Sequence, residues 1–307
     1  MGTAPFTCPA LKDLLERGGG LVGVFTQPDR PQGRGLRVKV SPVKALALEN
    51  NLPVYQPERI NRDESFELIK KLSPDLIVVA AFGQILSQRI LDIPKKGCLN
   101  VHASLLPKYR GAAPINQVII QGEKATGITT MLMDKGLDTG DILIQRKIGI
   151  LPEENAGELH DRLAELGAET LIETIKKWEK GELTPRKQKE SESTFAPLFK
   201  KEDGLIDWEK PAEMIYNQIR GMNPWPGAYT LLKGEILKIF RTSKIIKNSH
   251  KEPGTVLETT DEGILVRASE NCLLLTEIQL QARKRMNAAQ FLRGHPIPVG
   301  NRLGKLK

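Results

Sequence analysis

The residues best suited to chemistry lie in "LNVHASLLPKYRGAAPIN", residues 99–116. Histidine is scarce, four in 307 residues, yet His102 stands where a short apolar run, 98–101, gives way to a loop. Asn100 precedes it by two positions, so in an extended chain the two side chains share a face. Further on, "MDKGLDTGDIL" (133–143) sets Asp138 in a glycine-flanked loop after a second apolar run, 127–133. An amide, an imidazole and a carboxylate at strand ends contain no strong nucleophile, and no Cys or Ser is paired with a base. They suit transfer of an acyl group to an amine. Asn and His donate to a developing oxyanion, while Asp manages the proton of the attacking amine.

Each residue also has a plainer structural reading. A histidine after a strand often caps a chain end, and Asp-Thr-Gly favours turns. The "DTG" at 138–140 does not make an aspartic protease, because that chemistry needs two aspartates sharing a proton. His160 on a helix, His250 in a polar turn and His295 in "RGHP" read as structural or surface residues. "GRG" at 33–35 is too short for a dinucleotide fingerprint, and no Walker A sequence is present.

These side chains need a frame, and the apolar pattern supplies one. Residues 21–26, 75–82 and 98–101 read as buried strands, with helices between them near 42–51 and 61–72. Ser41 and Pro42 form a cap and first-turn pair. Further helices are expected over 113–121 and 157–179. In the second, Leu159, Leu163, Leu166, Ile172 and Ile175 make an apolar stripe. Alternating strands and helices predict an α/β domain with a doubly wound, mostly parallel sheet, in which ligands bind beyond the carboxyl ends of the strands. After Lys180 the chain turns polar, and 181–205 reads as a linker. A helix over 211–222 and short strands at 228–232, 236–241, 255–258, 263–267 and 272–278 predict a small β-barrel. The expected division is 1–180, a linker over 181–205, and 206–307. The length also favours two domains.

Composition narrows the partners. Residues 205–307 hold 16 Lys and Arg against 10 Asp and Glu, whereas residues 1–204 hold 29 against 27. A basic domain beside a near-neutral one points to a polyanion such as nucleic acid, or to solubility alone. Cys8, Cys98 and Cys272 are far apart without metal-ligand spacing, which reads as free thiols in a reducing compartment. No run reaches membrane-spanning length and no leader pattern opens the chain, so a cytoplasmic protein without a membrane partner is expected.

The stretch from Asn100 to Leu143 resembles the signature of the formyltetrahydrofolate-dependent formyltransferases. "VGVFTQPDRPQGRG" (22–35), "SPVKALA" (41–47), "NPWPGAY" (223–229) and "PVGNRL" (298–303) bring it closest to the members that act on methionyl-tRNA. The resemblance runs from about Gly2 to Leu303. It implies an N-terminal formyltransferase domain and a C-terminal OB-like domain that holds tRNA. It implies that Asn100, His102 and Asp138 are catalytic, and that Ser104, Leu105, Leu106 and Pro107 line the folate site. Phe82, Gln84, Ile85 and Leu86 would help to close the pterin pocket, and Arg34 would meet the acceptor end of initiator tRNA. The implied reaction moves the formyl group of 10-formyltetrahydrofolate to methionyl initiator tRNA, in a monomer and without a metal. Two alternatives stay open: formyl transfer to a sugar nucleotide or small amine, and a non-catalytic tRNA-binding protein.

The opening "MGTAPF" departs from the family, whose members lead into a "GTP-x-F" turn from a short apolar strand. That first strand is expected to be missing here, with the native start several residues upstream. Such a strand is usually central in a doubly wound sheet.

Overall fold

The computed structural model describes residues 1–18, 20–32, 37–247 and 249–304. The chain forms two units. One comprises Met1–Pro114, Ala125–Gly149 and His160–Ala196; the other comprises Ile115–Lys124, Ile150–Leu159 and Pro197–Lys307. Up to Ala196 the elements in chain order are α1 (Cys8–Glu16), β1 (Val24–Phe25), β2 (Arg30–Gln32), β3 (Arg37–Lys39), α2 (Pro42–Glu49), β4 (Val54–Tyr55), α3 (Asp63–Leu72), β5 (Ile77–Val79), α4 (Gln88–Leu91), β6 (Cys98–His102), β7 (Arg110–Gly111), α5 (Pro114–Ile120), β8 (Ala125–Leu132), β9 (Ile142–Gly149), α6 (Ala156–Glu179) and β10 (Phe195–Ala196). Local chemistry sets the helix ends. The Ser41 hydroxyl accepts from the Lys44 amide at 3.1 Å and starts α2 at Pro42. Helix α3 opens on Asp63 and Glu64 and closes on Lys70 and Lys71, which complements its dipole.

The α/β class is as expected, but the sheet is mixed rather than mostly parallel. Its order is β5-β6-β8-β9, with β5 parallel to β6 and the next two pairs antiparallel. For β8 and β9 the cause is loop length. Residues 133–141 join β8 to β9 directly, and a parallel connection needs a crossover of a dozen or more residues. Strands β1 and β4 form a separate parallel pair. Met1 and Gly2 run between β1 and the end of β5. The Met1 nitrogen donates to Val78 O at 2.6 Å, and Gly2 N donates to Phe25 O at 2.9 Å. Gly2 also forms a parallel bridge to Ala80. Beside them lies a cavity of about 490 Å³, lined in part by Leu14, Val22, Val24, Ile77 and Ile172. Helix α6 covers the sheet closely. A methyl group at Gly167 would sit 3.2 Å from Val101 Cγ1 and 3.6 Å from Ile128 Cδ1.

The segment 181–205 is not a free tether. Arg186 exchanges backbone hydrogen bonds with Ile142, and β10 pairs in parallel with β7. Residues 181–196 therefore belong to the first unit, beyond the expected boundary at 180.

The second unit contains α7 (Ala212–Gly221), β11 (Ala228–Leu232), β12 (Glu235–Ile245), β13 (Val256–Thr259), β14 (Ile264–Arg267), β15 (Cys272–Leu280), β16 (Met286–Asn287) and α8 (Ala288–Gly294). All five strands anticipated from the sequence are present. They form an antiparallel sheet of order β11-β12-β15-β14-β13, with β16 on β15. Ile215, Ile219, Leu237, Val266, Leu275, Ile278 and Phe291 share its core. The unit also recruits residues from earlier in the chain. Asn116 Nδ2 donates to Gly221 O at 2.8 Å, and Arg220 Nη1 donates to Glu154 O at 2.9 Å.

Leu275 is fully buried on the strand that pairs with three others. Leu275→Ala should lower unfolding free energy by about 2–5 kcal/mol, read as a shifted denaturant midpoint of the transition that reports the second unit. A shift equivalent to less than about 0.5 kcal/mol, the range of ordinary surface changes, would contradict this packing.

Candidate active site

Strand β6 is buried on both faces at its ends, and its alternation sends Asn100 and His102 the same way. The strand is fixed by β8, where Asn100 pairs with Met131 and His102 with Thr129. Asp138 arrives from the loop between β8 and β9. That loop is built by Asp134, whose Oδ1 accepts from Gly136 N at 3.0 Å and from Thr139 Oγ1 at 2.7 Å. Gly140 lets it close: a Cβ there would lie 1.7 Å from Leu132 O. Asp138 itself adopts φ 54°, a left-handed conformation uncommon outside glycine.

The three side chains meet at one carboxylate. Asn100 Nδ2 donates to Asp138 Oδ1 at 3.2 Å, and His102 Nδ1 lies 3.5 Å from Asp138 Oδ2. The Gly111 amide donates to the same Oδ2 at 2.8 Å. The far side of the imidazole is also engaged, with Nε2 2.9 Å from Tyr109 O. A carbonyl there accepts, so this contact puts the proton on Nε2. His102 is 6% exposed and the Asp138 side chain 12%. In such partial burial, charge interactions are weakly screened. The cluster offers N–H donors beside a base, the set needed when an oxygen gains negative charge as an amine loses a proton.

The segment after β6 is a rigid strap. Ser104 Oγ donates to Lys108 O at 2.6 Å. Thr129 Oγ1 donates to Ser104 O at 2.7 Å and accepts from Leu106 N at 3.1 Å. Gln145 Nε2 donates to Leu106 O at 2.8 Å. Ser104 and Leu106 are buried, and Leu105 is partly exposed. The turn at 82–86 behaves differently. Phe82 and Leu86 are buried in a core with Ile60, Ile69 and Ile90, while Ile85 is two-thirds exposed. The Gln84 amide is spent on Ile60 N and Pro57 O. Arg34 lies outside the described residues. It falls between β2 and β3, which pair Arg30 with Lys39. Beside this hairpin, Lys44 Nζ donates to Asp29 Oδ2 at 2.5 Å and to Gln56 Oε1 at 2.6 Å. The hydrogen bond from Lys44, helped by one from Gln56, holds the Asp29 carboxyl below the usual carboxylate range.

The sequence reading missed the contributions of Gly111 and Thr129. Backbone N–H groups carry no residue signature, although "YRG" so soon after His102 marks a turn. Thr129 reads only as a strand residue until its partner loop is in place. Among the described residues, no group of three or more His, Cys, Asp or Glu side chains is placed to hold a metal ion. Nor is any helix among them long and apolar enough to cross a membrane.

Comparison with known proteins sets this geometry in a family. The formyl transferase model matches residues 2–175, and the formyl transferase, C-terminal domain model matches residues 198–296. A methionyl-tRNA formyltransferase from Geobacter sulfurreducens is 53% identical over 305 residues, covering 99% of this chain and 96% of the relative. Another, from Caldanaerobacter subterraneus subsp. tengcongensis, is 52% identical over 301 residues, covering 98% and 97%. Among solved structures, an N-formyltransferase from Helicobacter canadensis, in complex with folinic acid and dTDP-3-aminofucose, shares the fold. Its TM-score is 0.66 at 18% identity over 91% of this chain and 97% of its own. HypX from Aquifex aeolicus, in complex with tetrahydrofolic acid, gives a TM-score of 0.59 at 20% identity, covering 80% of this chain and 43% of its own. With two domain models matched in order and about half of all positions shared along nearly the whole length, the chain belongs to the formyl transferase family, in its methionyl-tRNA formyltransferase branch.

Proposed function

We propose that this chain transfers the formyl group of 10-formyltetrahydrofolate to the α-amine of methionyl initiator tRNA. The observation that carries the reading is the convergence of Asn100, His102 and Gly111 on the Asp138 carboxylate, all within 3.5 Å, in a chain of this family. The donor, when bound, supplies an electrophilic formyl carbon. The residues suit it: Leu137, beside the carboxylate, is half exposed, and the strap over Ser104, Leu105, Leu106 and Pro107 is already braced from β8 and β9. In the turn at 82–86, Ile85 offers its side chain outward, while Phe82, Gln84 and Leu86 shape the backbone.

Asn100, whose amide nitrogen has a second proton besides the one given to Asp138, supplies an N–H group to the formyl oxygen as it gains charge, and His102 supplies another once its Nε2–H turns from Tyr109 O. One such donor is worth about 3 kcal/mol in a transition state. Asp138 orients both donors and accepts the proton that the amine sheds as its bond to carbon forms; as the formyl oxygen regains its double bond, the bond from that carbon to N10 of the donor breaks, and N10 takes up the proton as tetrahydrofolate leaves. The basic excess of residues 205–307 supplies attraction to the tRNA backbone. Arg34, outside the described residues, meets the acceptor end. The proposed setting is the cytoplasm, where the three free thiols stay reduced, and the proposed working form is a monomer. Sugar nucleotides are the weaker reading, since the sugar-modifying neighbour shares only 18% identity.

The direct test is formyl transfer to charged initiator tRNA with charged elongator tRNA as control. Equal rates on both, or none on either, would overturn the proposal. His102→Ala and Asp138→Ala should each cut turnover by at least ~100-fold with tRNA affinity nearly intact, the pattern for groups used in the transition state. Near-normal turnover in either variant would remove that residue from its role. Arg34→Ala should weaken formylation of initiator tRNA far more than folate binding. Wild-type tRNA affinity should fall steeply as salt rises, linearly on a log–log plot; a flat line would rule out backbone attraction.

A further inference from the structure

We infer that Gln188, in the segment after α6, is a positioning residue for the reaction and acts by holding the backbone of Asp138. The inference rests on the catalytic reading of Asp138 given above. A left-handed aspartate persists only where its surroundings over-determine it. Its carboxylate is held by Asn100 and Gly111, but those bonds fix the side chain and not the backbone that carries it. The backbone is held from elsewhere. Gln188 Nε2 donates to Asp138 O and to Gly140 O, both at 2.8 Å. One amide nitrogen has two protons, so it serves both carbonyls and spans the sharpest part of the loop.

The orientation of that amide is not free. Arg110 Nε donates to Gln188 Oε1 at 3.1 Å, and a guanidinium cannot accept, so the oxygen must face Arg110 and the nitrogen must face the loop. Arg110 is 1% exposed, a charge almost wholly out of water. Its Nη1 is paired with the Glu190 carboxylate at 2.9 and 3.1 Å. The neighbourhood is stitched together by backbone as well. Arg110 N donates to Thr194 O at 2.9 Å, Tyr109 N donates to Thr194 Oγ1 at 2.9 Å, and β10 runs alongside β7. Gly111, next to Arg110, is the residue whose amide holds the Asp138 carboxylate. Both halves of Asp138 are thus referred to one small frame: residues 110–111 and the strand of chain that follows Arg186.

The test separates this grip from mere support of Arg110. Gln188→Glu keeps an acceptor for the buried guanidinium but loses both donors to the loop. Gln188→Leu loses all three bonds. The expected result is that both variants slow turnover by about 10- to 100-fold, the scale of a misplaced catalytic group, with KM for folate and for tRNA within about twofold. Gln188→Glu should lose less thermal stability than Gln188→Leu, which also takes the acceptor from the buried Arg110 guanidinium. In an Asp138→Ala background, Gln188→Glu should add almost no further loss, because the residue it positions is gone. Amide hydrogen exchange over residues 134–141 should quicken in Gln188→Glu. Normal turnover in Gln188→Glu, or a loss that adds in full to that of Asp138→Ala, would overturn the inference. If Asp138→Ala itself proved nearly normal, the catalytic reading would fall and with it the role of Gln188 in the reaction; exchange over residues 134–141 in Gln188→Glu would then decide the backbone grip alone, quickened exchange upholding that grip and unchanged exchange overturning it too.

Discussion

A carboxylate shared among several donors constrains everything that carries those donors. Asp138 meets an amide from β6, an imidazole from the same strand and the backbone N–H of Gly111 in β7. If β6 slipped by one residue, Asn100 and His102 would turn to the opposite face. The register against β8 prevents that slip, because β6 is buried and its partners on β8 are buried with it. The packing of α6 against Val101 and Ile128 presses on the same two strands. Much of the first unit can be read as support for one set of distances.

The strap after β6 shows the same economy. Thr129 is a single buried hydroxyl on β8, opposite His102, and it both donates to and accepts from the strap. Gln145 on β9 reaches the same place. The strands that carry the aspartate loop therefore also brace the segment expected to face folate. A change in β8 or β9 reaches both the Asp138 loop and the 104–107 strap.

Legibility in the sequence followed the range of the interactions. Helices with capping chemistry, such as α2, and short apolar strands, such as β6 and those of the second unit, were legible because their signals are local. The meeting of Asn100, His102 and Asp138 was legible from residue type, strand ends and a glycine-flanked loop, and the structure brings them together; their catalytic role is the proposal made above. The antiparallel course of β8 and β9 was not, because burial patterns do not record strand direction. The segment 181–205 was misjudged for a related reason. Its residues are polar, and polarity marks a tether unless a buried arginine waits for them elsewhere in the fold. Helix α1 was legible in principle, through Pro9 in its first turn and the spacing of Leu11, Leu14 and Leu15, but was not among the expected elements. Arg34 lies outside the described residues, so its placement stays with the family resemblance.

The second unit takes residues 115–124 and 150–159 from within the sequence span of the first. The Asn116 amide and the Glu154 carbonyl serve partners near Gly221 and Arg220, not partners in the first unit. Seen as heredity, this makes the two halves poor candidates for shuffling. A gene fragment beginning at 197 would encode most of the β domain yet lack two pieces that finish it. A fragment ending at 196 would carry those pieces with nothing to complete. A recombination event that exchanged one half for a foreign counterpart would have to match five separate joints at once. Such a chain is more readily altered by many small substitutions than by the replacement of whole modules.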